Sequence, residues 1–209
     1  ILIDYPGFNF RLFKFLHRHH FKIFYYISPQ IWAWKTSRVH KVKKYVDRMF
    51  VIFPFEKDFY AKYGVEVDFA GHPLLDELSF EDIQLTEKDK RVIALLPGSR
   101  KQEIAHLLPE YLKVIDEFPE YKFIVTGMNV IGEKFYRNII GSKKVELVMD
   151  NTYNVLKQAN AAIVTSGTAT LETALHNVPE VVCYKGSWIS YYIIRSMIDK
   201  SIGFICIVN

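Results

Sequence analysis

Hydrophobic positions along this chain recur in two rhythms. Apolar runs of four to seven residues predict strands over 1–4, 22–27, 48–53, 92–96, 121–126, 144–149, 160–164, 179–184 and 203–208. Between them, apolar residues at three- and four-residue spacing predict helices over 8–19, 36–46, 55–63, 101–118, 130–140, 152–158, 168–176 and 188–199. The runs at 92–96 and 123–125 are continuously apolar, as strands covered on both faces should be. Such alternation predicts an α/β protein built on parallel sheets.

The pattern breaks once. Gly71-His72-Pro73 closes a strand-like run, with 67–70 a further candidate strand. A polar stretch holding Asp76, Glu77, Glu81, Asp82, Glu87, Lys88, Asp89 and Lys90 follows. Its composition suits a linker over 74–91 between a first lobe, 1–73, and a second lobe, 92–209. The first lobe has few strands and reads as incomplete. Its edges are then open, and the 90–209 half is expected to be the better protected against hydrogen exchange. The chain begins and ends inside strand-like runs, which suggests a piece of a longer protein.

No stretch reaches the roughly 18–20 apolar residues that a membrane-spanning helix needs. Cys183 and Cys206 lie in apolar runs and read as small buried hydrophobes, consistent with a reduced cytosolic setting. The net charge of +4 conceals an asymmetry. Residues 1–60 carry 11 Lys and Arg against 4 Asp and Glu, and the remainder is net acidic. Lys35, Arg38, Lys41, Lys43, Lys44 and Arg48, beside Trp32 and Trp34, make a basic patch suited to nucleic acid, anionic lipid or a phosphorylated substrate. A solvated helix face accounts for the same charges. Metal ligation is not indicated. His17, His19 and His20 crowd a basic helix end, where they suit the helix C-terminus better than a metal.

Three strand ends carry candidate chemistry. At Thr165-Ser166-Gly167-Thr168 a strand turns into a helix, and free N–H groups with a positive helix end suit a phosphate. Glu172 is expected in the first helical turn, within reach of a ribose diol. The plainer reading makes Ser166 or Thr168 an ordinary N-cap. At Pro97-Gly98-Ser99-Arg100, Ser99 is expected to cap the next helix while Arg100 offers a fork of donors to a diphosphate. Alternatively Arg100 simply pairs with Glu103. Asp4 stands at the end of the opening strand, either as a general base for a sugar hydroxyl or as a turn-forming Asx residue.

Six strings then occur in order: Ile-Asp-Tyr-Pro-Gly-Phe-Asn (3–9), Tyr-Ile-Ser-Pro-Gln-Ile-Trp-Ala-Trp (26–34), Pro-Phe-Glu with Phe59-Tyr60, Gly-His-Pro-Leu with Asp76, Leu-Leu-Pro-Gly-Ser-Arg with Glu103, and Thr-Ser-Gly-Thr-Ala-Thr-Leu-Glu (165–172). With them the whole chain resembles the lipid-A-disaccharide synthases. The resemblance implies two Rossmann-like lobes of the GT-B type. It also implies transfer, with inversion and without metal or other cofactor, from UDP-2,3-diacylglucosamine to 2,3-diacylglucosamine 1-phosphate, as part of lipid A biosynthesis. Residue by residue, it makes Asp4 and Arg100 catalytic. Ser99, Ser166, Gly167, Thr168 and Glu172 become nucleotide-binding, and Asn209 substrate-binding.

The resemblance further implies a cytoplasmic enzyme peripheral to the inner membrane, with lipid-linked sugars and that membrane surface as partners and no nucleic acid. A homodimer is left open. Two departures stand out: Gly7 replaces a second acid found in some members, and the Gly-Glu-x-Ser-Gly-Asp stretch that members carry earlier is not among these residues. The alternatives are another UDP-N-acetylglucosamine transferase or epimerase of the same fold, or a nucleotide-sugar-binding module without catalysis.

Overall fold

The computed structural model describes residues 1–33, 35–78 and 91–185. They divide into two compact units. The described residues of the first are 1–33 and 35–77, and those of the second are 78 and 91–185.

The first unit is a parallel sheet of β1 (Leu2–Ile3), β2 (Phe24–Tyr26), β3 (Arg48–Val51) and β4 (Asp68–Phe69), in that order. The register sets Leu2 against Tyr25, Tyr25 against Met49, and Phe50 against Asp68. Helix α1 (Pro6–Arg18) starts with Pro at its first position, where the fixed φ helps and the missing N–H costs nothing. Asn9 and Phe13, four apart, turn inward, and Phe13 meets the Tyr25 ring edge-on at 5.9 Å. Burying a side chain such as Phe13 is worth about 1.5–3 kcal/mol. His17 and Arg18 fill its last turn, where cations complement the helix dipole.

The predicted helix over 36–46 is a 3-10 turn (Thr36–Arg38) followed by α2 (Val39–Tyr45), which buries Val39 and Val42. Helix α3 (Pro54–Ala61) follows β3. The polar run expected as linker opens with a helical turn, α4 (Leu74–Glu77). There the His72 Nδ1 accepts the Leu74 N–H at 3.2 Å.

The second unit runs β5 (Val92–Leu96), α5 (Lys101–Glu117), β6 (Lys122–Gly127), α6 (Glu133–Ile140), β7 (Glu146–Met149), α7 (Thr152–Gln158), β8 (Ala161–Thr165), α8 (Thr168–Leu175) and β9 (Glu180–Cys183). All five strands are parallel, in the order β7-β6-β5-β8-β9. Helices cover both faces, which explains the continuous apolar strands. On one face Leu95, Phe123 and Val125 pack with Leu108 and Tyr111 of α5 and Tyr136 of α6. On the other, Ala94, Leu96, Ile124 and Val164 pack with Val155 and Leu156 of α7. Helix α5 tolerates Pro109 in its interior, a residue costing about 3 kcal/mol there. Six residues from Ile104 to Ile115, at helical spacing, remain buried and hold it to the sheet.

Among the described residues no helix is long and apolar enough to cross a membrane. The predicted strand 203–208, helix 188–199, Cys206 and Asn209 lie outside the described residues, as does Trp34.

Candidate functional site

The second sheet has one place where chain order reverses. From β5 the chain moves outward through β6 to β7, then returns to lay β8 on the other side of β5. Leu96 pairs with Val164, so the turns leaving these two strands emerge side by side. In open α/β sheets a ligand binds outside the carboxyl ends of strands at such a switch point. Both candidate turns of this unit, 97–100 and 166–167, are therefore neighbours by topology.

The first turn is shaped by Gly98. Its φ of +108° is a conformation that side chains with a Cβ rarely adopt. A Cβ there would lie 3.0 Å from Glu103 Oε2 and 3.4 Å from Thr165 Cγ2, so the glycine lets Glu103 and the end of β8 close over the turn. Ser99 does not cap α5. The capping position is Arg100, extended at φ −118°, without a side-chain cap bond, and exposed Ser99 lies one residue outside the helix. The chain reaches helical φ/ψ one residue later than the spacing suggested. Arg100 Nη1 donates to Glu103 Oε1 at 2.5 Å, the pairing foreseen as the plainer alternative. One of five guanidinium N–H donors is engaged there. The Arg100 side chain is 77% exposed, so the pair holds the fork at the mouth of the turn without burying it.

The second turn is likewise uncapped. Neither Ser166 nor Thr168 is the N-cap of α8. That position is Gly167, and among the described residues no side-chain cap bond is made there. A Cβ on Gly167 would meet no described atom within 4 Å, so packing against the described residues does not demand a glycine here. Thr170 secures the turn instead, its Oγ1 donating to the Gly167 carbonyl at 2.7 Å. Below it the Thr165 hydroxyl shares a 3.2 Å hydrogen bond with Tyr111 of α5, a phenol whose pKa burial drives upward. Glu172 lies one turn deeper than expected, because α8 begins at Thr168 and its first turn carries no acid. It is half-buried, on the second turn.

In the first unit Asp4 follows β1 directly. Its N–H donates to the Tyr26 carbonyl at 3.0 Å, and it and Tyr5 both take φ of 39°. Two consecutive non-glycine residues in this region are uncommon. Among the described residues the Asp4 carboxylate accepts no hydrogen bond, so it does not play the Asx-turn role. The turn is held instead by Asn9 of α1, whose Nδ2 donates to the carbonyls of Ile3 (3.1 Å) and Asp4 (2.6 Å). Tyr25 Oη also donates to the Asp4 carbonyl, at 2.8 Å. Burial pushes the Tyr25 phenol up to about 12, so it remains a donor.

Sequence reasoning missed these supports, and it missed Glu56. That carboxylate is buried in α3 and accepts the N–H groups of Ile52 (3.2 Å) and Phe53 (3.0 Å), and burial raises its pKa. Ser28 and Tyr60 hydrogen-bond nearby at 2.8 Å. Above them Trp32 and Phe55 meet edge-on, and Phe53 stacks on Phe55. Glu two residues after Pro54 is the sequence mark of an acid placed to hold a helix start, and it could have been read that way. The basic patch is partly spent within the chain: Lys43 bonds the Tyr63 carbonyl at 3.0 Å, and Arg48 pairs with Asp68 at 2.8 Å. No cluster of metal-ligating side chains occurs among the described residues.

Comparison with solved structures defines the class first. The chain superposes on UDP-GlcNAc 2-epimerase from Neisseria meningitidis, solved bound to UDP-GlcNAc, with a TM-score of 0.55 and 13% identity, covering 88% of this chain and 58% of that one. Against the pneumococcal O-GlcNAc transferase GtfA the TM-score is 0.50 at 12% identity, with 87% and 41% covered. At such identities the likeness concerns the fold, which is that of the GT-B glycosyltransferases and their epimerase cousins.

The family follows from sequence. The family model described as lipid-A-disaccharide synthetase matches residues 1–209. The chain is 43% identical to the lipid-A-disaccharide synthase of Syntrophus aciditrophicus over all of its own length and 58% of that protein. To those of Geobacter sulfurreducens and Coxiella burnetii it is 39% and 38% identical, over 95% and 99% of its length and 55% and 57% of theirs. This chain belongs to the lipid-A-disaccharide synthetase family, and it spans a little over half the length of these relatives.

Proposed function

We propose that this chain is the part of an inverting glycosyltransferase that joins UDP-2,3-diacylglucosamine to 2,3-diacylglucosamine 1-phosphate, releasing UDP. The observation that carries the reading is the switch point. Two uncapped strand-to-helix turns on adjacent central strands supply backbone N–H groups and an exposed guanidinium, a set suited to a diphosphate. Membership of the lipid-A-disaccharide synthetase family supports this choice of substrates.

In this reading the second unit holds the nucleotide. The N–H groups at Gly167 and Thr168 and the hydroxyls of Ser99 and Ser166, whose own N–H is spent on the Cys183 carbonyl at 3.1 Å, face the phosphates, Glu172 takes the ribose diol, and Asn209 contacts substrate. The acceptor 6-hydroxyl oxygen attacks C1 of the donor sugar, and its proton passes to the Asp4 carboxylate. The C1–O bond to the diphosphate breaks, and its electron pair leaves on UDP. Negative charge grows on that leaving oxygen in the transition state, where Arg100 and the backbone donors are worth most. A single displacement inverts C1. The enzyme would work beside an inner-membrane surface, since both sugars carry acyl chains.

The test is transfer by the full-length natural protein. Arg100→Ala should lower turnover by about 100-fold or more, the cost of one charge-stabilising donor. Asp4→Asn should nearly abolish transfer while UDP binding persists. Near-normal turnover in Arg100→Ala removes that residue from the mechanism, and transfer from unacylated UDP-N-acetylglucosamine at the same rate would favour another member of the fold.

A further inference from the structure

Asn9 occupies a position that the transfer chemistry never touches, yet it is 5% exposed and spends its side-chain amide on two consecutive carbonyls at the end of β1. Those carbonyls flank the peptide unit on which Asp4 turns. The Asp4 carbonyl receives a second donor from Tyr25, which is fully buried in the first unit's core, while the Asp4 N–H is anchored to Tyr26. Every backbone polar group of Asp4 is thus tied to a rigid element: helix α1, strand β2, or both.

The ties hold an unfavourable shape. With φ of 39° at both Asp4 and Tyr5, the chain leaves the sheet through two left-handed residues, neither of them glycine. Such geometry persists only where surrounding contacts over-determine it, and it concentrates at functional sites. Here its effect is specific. The left-handed turn takes the chain from β1 to Pro6 in two residues and leaves the Asp4 side chain exposed at the carboxyl end of the strand. A normal extended exit at Asp4 would point that carboxylate elsewhere.

We infer that Asn9 and Tyr25 are positioning residues that fix the Asp4 carboxylate for the transfer reaction by clamping its main chain in the left-handed conformation. The inference rests on the reading of Asp4 as the general base. Asn9 acts through its two donors, Tyr25 through one hydroxyl.

A double-mutant cycle in the full-length protein tests it. Asn9→Ala should lower kcat by about 10- to 100-fold, as expected when a reacting group drifts by about an ångström. KM for the donor and affinity for UDP should stay within about twofold of wild type. Tyr25→Phe keeps the ring in the core and removes one of three donors, so it should give a smaller loss in kcat of the same kind. The combination Asp4→Asn with Asn9→Ala should be no slower than Asp4→Asn alone, because a clamp has nothing to position once the carboxylate is gone. Losses that multiply in the double variant, or wild-type kcat in both Asn9→Ala and Tyr25→Phe, overturn the inference while leaving Asp4 as base intact. Wild-type turnover in Asp4→Asn overturns the base assignment itself, and the clamp's role with it.

Discussion

Gly98 offers the sharpest single perturbation of the nucleotide end of the site. Alanine there meets two obstacles. The backbone must hold φ of +108°, which costs an L-residue on the order of 1–3 kcal/mol. Its methyl group must also find room 3.0 Å from Glu103 Oε2, 3.3 Å from Glu103 Cβ and 3.4 Å from Thr165 Cγ2. The carboxylate can swing aside, but the Glu103 Cβ and the end of β8 cannot move without shifting α5 or the second turn. The relief therefore falls on Glu103, and Arg100 loses its 2.5 Å partner. The exposed ion pair adds little to stability, at about 0–1 kcal/mol. Backbone strain dominates, and about 2 kcal/mol corresponds to a fall in Tm of about 4–8 °C for a chain of this size. A displacement of about an ångström in the turn should cost about 100-fold in turnover. Thermal unfolding and a transfer assay on the same preparation read both effects. Wild-type Tm refutes the strain argument. A lowered Tm with unchanged turnover would keep the strain and exclude the 97–100 turn from the site.

Two further expectations follow from charge. Glu180 in β9 has its pKa raised by burial from 4.5 to about 7, so the folded state binds its proton more tightly than the unfolded state between those values. Stability should then fall as pH rises through that window, and Glu180→Gln should raise Tm at pH 8 but hardly at pH 4; equal shifts at both would mean that ionisation is not the cause. In α2, Lys41 and Lys44 are exposed while Lys43 is tied to Tyr63, so replacing Lys41 and Lys44 by serine should weaken sedimentation with anionic vesicles by about 1 kcal/mol per residue at low salt and little at high salt. Identical pelleting would leave them as solvated surface.

What could be read from the residues alone was whatever depends on short-range periodicity and turn chemistry. All nine described strands lie at predicted positions, counting 67–70 as the candidate that became β4; for the central strands β5, β6 and β8 the reason is that a parallel strand covered on both faces must be apolar on both. The strings around Asp4, Arg100 and Ser166 pointed to strand ends, since glycine, proline and small hydroxyl residues between an apolar run and a helical pattern have few other uses. Capping was misassigned at both turns of the second unit. Ser99, Ser166 and Thr168 are good caps by type, but whether a side chain caps depends on where the chain first reaches helical φ/ψ, and neighbours across the sheet influence that point.

Only the tertiary structure decided which turns meet and what holds them. Sequence order gives β5, β6, β7, β8, β9, and nothing local says that β8 returns to the far side of β5. That pairing, set by packing apolar strands between two helical layers, makes neighbours of two turns some seventy residues apart in the chain, near 97–100 and 166–167. The same holds for the supports. Asn9 looked like part of a string and Tyr25 like strand core until the sheet brought both to the carbonyl of Asp4. Glu56 became a buried acceptor only once α3 folded back on the end of β3. Side-chain chemistry is local and was legible. The partners that aim it are brought together by long-range burial, which no window along the chain contains.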